Sequence, residues 1–311
     1  MQRRVTLIMA LLLVGAAVFG SAVLIALPDQ TPKERVIAVT WGLLGEIVHR
    51  LTDGQVKIFQ ILPPNVELHH WEPTPDVVEN LRGASVLLWT LEDLDGWAVR
   101  IASAAGVQAY RVTSQITFLE GGNDRHRHEH GDGHDHEHGV DVHFWHDPKN
   151  VAQLVKNIAQ VLVNTFPDKR DLIERNKSAL LAELEQLDRE IASKLAPYKG
   201  RIFVTQHDAF RYLAKAYGLE SIAVFTVHEE EPSAAHLAEV YETIENHGIK
   251  TIFAEDDRVY PLLSIIAKDK GLKVGMLYTG ENLLSDGYKR GQGYVDMMRK
   301  NVDALVKSFA E

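Results

Sequence analysis

Short β-branched runs alternating with helix-length amphipathic stretches limit this chain's folds more than any other feature. Adjacent parallel strands need a crossover of a dozen or more residues, and that crossover is usually a helix. Two sets of such runs occur. The first comprises residues 36–40 (VIAVT), 56–62 (VKIFQIL), 85–90 (SVLLWT) and 108–112 (QAYRV). The second comprises 201–205 (RIFVT), 221–227 (SIAVFTV), 249–255 (IKTIFAE) and 272–277 (LKVGML). The expected class is α/β, with two lobes that each contain a mostly parallel four-stranded sheet.

Between the sets, residues 169–195 carry Leu180, Leu184, Leu187, Ile191 and Leu195 at spacings of three and four, with no internal Pro or Gly. This pattern predicts a connecting helix about 40 Å long at 1.5 Å rise per residue. Pro197 and Gly200 end it. An ordinary amphipathic helix packed on one lobe has the same periodicity.

Two segments stand outside this order. Residues 121–139, GGNDRHRHEHGDGHDHEHG, contain no apolar side chain, so they cannot bury a core and are expected to be mobile. They hold six histidines: His126, His128, His130, His134, His136 and His138. At the N-terminus, Arg3 and Arg4 precede an uncharged apolar run from 5 to 27. That is the pattern of an export segment, with its positive end inside and everything after about residue 30 outside the cytoplasm. Its length favours an uncleaved membrane anchor over a cleaved signal. The expected organisation is a signal or anchor at 1–30, an N-terminal lobe at 31–165 that includes the His-rich tract, a linking helix at 166–197, and a C-terminal lobe at 198–311.

A net charge of -10 gives no basic footprint for nucleic acid. The absence of cysteine excludes disulfides, thiolate metal sites and a lipidated cysteine. Any metal must therefore be held by His, Asp or Glu. In open parallel sheets, ligands bind just beyond the carboxyl ends of the strands. His69 and His70 follow the second run there, His207 lies just after residue 205, Glu255 closes its strand, and Glu281 follows residue 277. His143 comes shortly after the His-rich tract.

The stretches PPNVELHHWEPTP, DVHFWHDPKN, TQHDAFRYLAKAYGLE and GYVDMMRKNVDALVKSF, in this order, resemble the zinc/manganese class of ABC-transporter substrate-binding proteins. The likeness runs from residue 36 onward. It implies two α/β lobes joined by a long rigid helix, with one metal ion at their interface. It also implies ligands at His69, His143 and His207, the last at a place where manganese-type relatives usually carry a carboxylate. A fourth ligand is implied in the loop before the last helix, at Glu281 or alternatively Asp286, while Glu255 is either a further ligand or a hydrogen-bond acceptor behind one. His70, His146 and His228 are expected to be structural or surface residues.

Three imidazoles and a carboxylate suit four-coordinate zinc, whereas manganese prefers more oxygen. The expected function is capture of Zn2+ outside the cytoplasm and delivery, by a monomer, to a membrane permease with its ATPase. The alternatives are a manganese or iron transport protein of the same class, a surface adhesin, and a zinc hydrolase. No H-E-x-x-H, G-x-S-x-G or P-loop supports an enzyme. The His-rich tract is expected to collect zinc weakly, because ordering it costs about 1–2 kcal/mol per residue. Deleting 121–139 should therefore lower the number of zinc ions bound per chain in a calorimetric titration, and unchanged stoichiometry would contradict loop capture.

Overall fold

The computed structural model describes residues 35–63, 66, 68–69, 71–121, 139–225, 232–255 and 259–311. The expectations for the N-terminal anchor, for the six clustered histidines, and for His70 and His228 fall outside these residues. Among the described residues, no helix is long and apolar enough to cross a membrane.

Each β-rich run becomes a strand, and the amphipathic stretches between them become helices. The first half runs β1 (Val36–Val39), α1 (Gly42–Leu51), β2 (Lys57–Gln60), α2 (Pro75–Leu81), β3 (Ala84–Trp89), α3 (Glu92–Asp95), α4 (Trp97–Ala105) and β4 (Gln108–Arg111). Helices α5 (Pro148–Thr165) and α6 (Arg170–Leu195) follow. The second half runs β5 (Ile202–His207), α7 (Arg211–Tyr217), β6 (Glu220–Phe225), α8 (Ala234–Asn246), β7 (Thr251–Glu255), α9 (Pro261–Lys270), β8 (Lys273–Leu277) and α10 (Tyr294–Phe309).

All pairings within the two sheets are parallel, in the orders β2-β1-β3-β4 and β6-β5-β7-β8. The two sheets thus repeat one topology. Central strands β1 and β7 are buried along nearly their whole length, as a sheet covered on both faces requires. In each sheet the winding direction reverses between two central strands, β1 and β3 in one, β5 and β7 in the other. A crevice opens there at the strands' carboxyl ends.

The first crevice is closed by the protein itself. Asp95, fully buried, accepts hydrogen bonds from the Thr40 hydroxyl at 2.6 Å, the Thr90 hydroxyl at 2.9 Å and the Leu91 N–H at 2.8 Å. Burial raises its carboxyl to about 6, with these donors opposing the rise. The second crevice instead presents His207 and Glu255, which end the two strands flanking it.

Helix α6 joins the halves by packing against both. Its apolar stripe, Ile173, Leu180, Leu184, Leu187, Ile191 and Leu195, is buried. It lies against α1 and α5 of the first half and α7 and α10 of the second. One apolar core therefore runs from Ile37 in β1 through this stripe to Phe203 and Phe253 in the second sheet. Residues 35–311 form a single compact unit. A turn at Ala196–Tyr198 and the left-handed Gly200 (φ 76°) end the helix where Pro197 and Gly200 predict.

Removing the Asp95 carboxylate would strand its buried donors, each costing roughly 1–3 kcal/mol. Asp95→Ala is expected to lower unfolding stability in urea by about 3 kcal/mol. A loss under about 0.5 kcal/mol, the range typical of surface changes, would contradict this account of the first crevice.

Candidate metal centre

His69 and His143 reach the centre from loops beyond the first sheet, where local structure fixes them. His69 follows Leu68, whose buried side chain anchors the loop in the core. His143 sits between two pinned points. Upstream, Asp141 N–H donates to Leu119 O at 2.9 Å beside the Glu120–Val140 bridge. Downstream, Asp147 caps α5 by accepting from Lys149 N–H at 2.9 Å, with Pro148 in the first helical turn. His207 is the last residue of β5, and Glu281 lies in the loop between β8 and α10.

These four side chains converge. His69 Nε2 lies 3.2 Å from His143 Nε2, and His207 Nε2 lies 3.4 Å from the same atom. Glu281 Oε1 is 3.5 Å from His69 Nε2 and 3.9 Å from His143 Nε2. All four candidate donor atoms lie within 4.8 Å of one another. Ligands about 2.0–2.1 Å from a tetrahedral zinc ion stand about 3.3 Å apart. The spacing matches donors around one small cation.

Carboxylates behind the imidazoles orient them. His143 Nδ1 lies 3.0 Å from Asp141 Oδ1, which also accepts the His143 N–H at 3.0 Å. His207 Nδ1 is hydrogen-bonded to Glu255 Oε2, and Glu255 Oε1 accepts the His207 N–H at 2.9 Å. In both cases a carboxylate holds Nδ1 and leaves Nε2 facing the centre. Glu255 thus stands behind His207 and outside the group of four. Asp286 points elsewhere, to an exposed pair with Arg290 at 3.2 Å.

Asp141 is the functional residue that sequence reasoning missed. It stands in the VDVHFW stretch, two residues before His143, and a carboxylate so close to a candidate ligand was the signal that could have found it. Its backbone carbonyl accepts from the Tyr212 hydroxyl at 2.8 Å, and Arg211 lies 3.5 Å from its free carboxylate oxygen. Helix α7 therefore braces the support of His143 from the other half.

Burial and neighbouring charges act differently on His207, His143 and Glu281. Burial lowers the His207 imidazole, but the Glu255 charge and hydrogen bond outweigh it and raise the group to about 9. Burial lowers His143, with Asp141 opposing. Burial would raise Glu281, but His69, 3.5 Å away, and the neighbouring His207 and His143 hold it down at about 2. Glu281 Oε1 is nevertheless buried without a hydrogen-bond partner. An ionised oxygen aimed at three imidazole nitrogens is suited to a cation.

His146 lies outside the group. It is fully buried, with its ring 4.6 Å from that of Phe210 and neither ring nitrogen hydrogen-bonded. Burial, aided by His143, lowers it to about 3.

Residues 37–308 match the model of the family described as zinc-uptake complex component A, periplasmic (ZnuA). The chain is 30% identical over 286 residues to a high-affinity zinc uptake system protein ZnuA of Bacillus subtilis, covering 90% of this chain and 89% of that one. It resembles the crystal structure of the metal-dependent lipoprotein YcdH from Bacillus subtilis, with a TM-score of 0.73 and 27% identity over 88% of this chain and 99% of that one. The Zn(II)-bound structure of AdcA from Streptococcus pneumoniae gives a TM-score of 0.73 and 28% identity. It covers 89% of this chain, which spans only 58% of that longer one.

An unfolded chain takes up the His146 proton near pH 6.5, whereas the native one refuses it down to about 3. The native state therefore loses stability as pH falls through that window. At 1.36 kcal/mol per unit, His146→Leu should gain about 2 kcal/mol more at pH 5 than at pH 8 in denaturant titrations. An equal effect at both values would contradict a buried neutral imidazole.

Proposed function

The chain belongs to the zinc-uptake complex component A family, and from that premise we propose that it captures Zn2+ outside the cytoplasm and releases it to an ABC-type permease with its ATPase. His69 and His143 hold the ion from loops of the first sheet, and His207 and Glu281 from the second half. The single observation carrying this reading is the approach of three Nε2 atoms and one carboxylate oxygen to within 4.8 Å of one another.

The donor set favours zinc over manganese or iron, because three imidazoles leave one oxygen where manganese prefers several. It also favours binding over catalysis. Catalytic zinc keeps a position open for water or substrate, whereas four protein ligands fill a tetrahedral shell. Residues 1–30 serve as the tether or export signal, and the protein works as a monomer. The His-rich stretch collects the ion for the centre.

Capture must displace a proton. The Glu255 carboxylate keeps His207 protonated in the metal-free protein at neutral pH. Zinc needs the Nε2 lone pair, so that proton leaves while Nδ1–H remains on Glu255. Affinity therefore falls as pH falls, and the metal-free fold loses the stabilisation of the charged pair as pH rises from 6.5 through about 9.

Zinc titration at pH 7.5 in buffers of differing ionisation enthalpy should report about one proton released per ion bound at the centre. His207→Ala should abolish tight binding. Retention of one tightly held zinc in that variant would overturn the assignment, and zero proton release would overturn the charged His207.

A further inference from the structure

Glu281 follows the second sheet in sequence, yet its loop is held by elements of the first half. Ahead of it, Trp145 Nε1 donates to Thr279 O at 2.6 Å. Gly280, at φ 86°, fits beneath that indole, since a methyl there would stand 3.2 Å from Trp145 Nε1 and 2.8 Å from Met297 Sδ. After Glu281 the contact tightens. Helix α1 approaches so closely that a Cβ on Gly42 would lie 1.6 Å from Leu283 O and 2.4 Å from its carbonyl carbon. One turn later, a Cβ on Gly45 would lie 1.9 Å from Ser285 Oγ. That hydroxyl donates to Gln60 Oε1 of β2 at 2.9 Å. Glu46 then accepts the Tyr294 N–H at the start of α10, at 3.0 Å.

We propose that Gly42 is a positioning residue for the metal centre, and that helix α1 and strand β2 of the first half set the place of Glu281. The proposal rests on Glu281 being a ligand. Three of the four donors then take their position from the first half. His207 alone takes it from the second sheet, through its strand and through Glu255.

The interaction at Gly42 is steric and without slack. A methyl cannot occupy a position 1.6 Å from a carbonyl oxygen, and the neighbour is backbone, so the loop itself must move. Gln60 acts on the same loop more gently, through one hydrogen bond.

The test is a double-mutant cycle on the full chain, with zinc affinity read by competition against a chromophoric chelator. The variants are Gly42→Ala, Glu281→Gln and their combination. Supports standing behind metal ligands typically matter by roughly 10–100-fold in affinity, and residues acting through one another fail to add. Gly42→Ala is expected to weaken zinc binding by about tenfold or more in the parent chain and to have no further effect beside Glu281→Gln. Its Co(II) visible spectrum should move toward that of Glu281→Gln, a change that a loss of stability alone does not produce. Gln60→Ala, which leaves the backbone contact intact, should give a smaller loss with the same non-additivity and carries the test if Gly42→Ala fails to fold. Equal losses in both backgrounds, or parent-like affinity in Gly42→Ala, would overturn the proposal while Glu281 stands. If Glu281→Gln binds zinc like the parent, the ligand assignment fails and the positioning role falls with it.

Discussion

Three imidazole nitrogens and a carboxylate oxygen face one another across a gap that no apolar packing explains. Buried polar atoms ordinarily find partners, and leaving one without costs roughly 1–3 kcal/mol. Here the buried Glu281 oxygen lacks a hydrogen bond, and the ring nitrogens of His69 and His207 point at the same atom of His143. A single divalent cation would resolve all of these at once. It would pair with the carboxylate, accept each lone pair and replace the His207 proton. Much of the surrounding structure serves to hold those atoms together.

The scaffold achieves this by using the same winding twice. Both sheets reverse direction between two central strands, but they use the resulting crevices differently. The first is plugged by Asp95, whose hydrogen bonds tie the ends of β1 and β3 together and make that half a fixed platform. The second is left to His207 and Glu255. Helix α6 packs on both halves and shares one apolar core with them. That continuity favours release by local movement of ligand-bearing segments over a wide hinge opening. Reciprocal bracing strengthens this view: Tyr212 and Arg211 of α7 support Asp141 behind His143, and α1 supports the loop of Glu281.

Much of the fold was legible because buried parallel strands must be written in β-branched residues and separated by helices. Strands β1, β3, β4 and β8 lie within one residue of the expected runs, β5 runs two residues further to include His207, β6 begins one residue early, and β2 and β7 are shorter than expected. In β2, Ile61 and Leu62 leave the regular ladder while still bonding to Val39 and Thr40. In β7, Ile249 and Lys250 stay outside the strand. His69, His207 and Glu281 were nameable from their positions after strands together with a family likeness, and His143 from the likeness. Their supports were less so. Asp141 is an ordinary acidic residue until its Nδ1 contact is seen, and the role of Glu255 depends on which nitrogen of His207 it meets. Gly42 was invisible, since its importance lies wholly in the approach of a backbone carbonyl from Leu283, far along the chain.

The proposed centre holds one ion by three imidazoles and one carboxylate. Zinc K-edge X-ray absorption tests it most directly, on protein lacking residues 121–139 and loaded with one equivalent of zinc. Four ligands are expected, three imidazole nitrogens at about 2.0–2.1 Å and one oxygen at about 2.0–2.2 Å. A shell of five or six ligands dominated by oxygen, or one with fewer than three imidazoles, would contradict it.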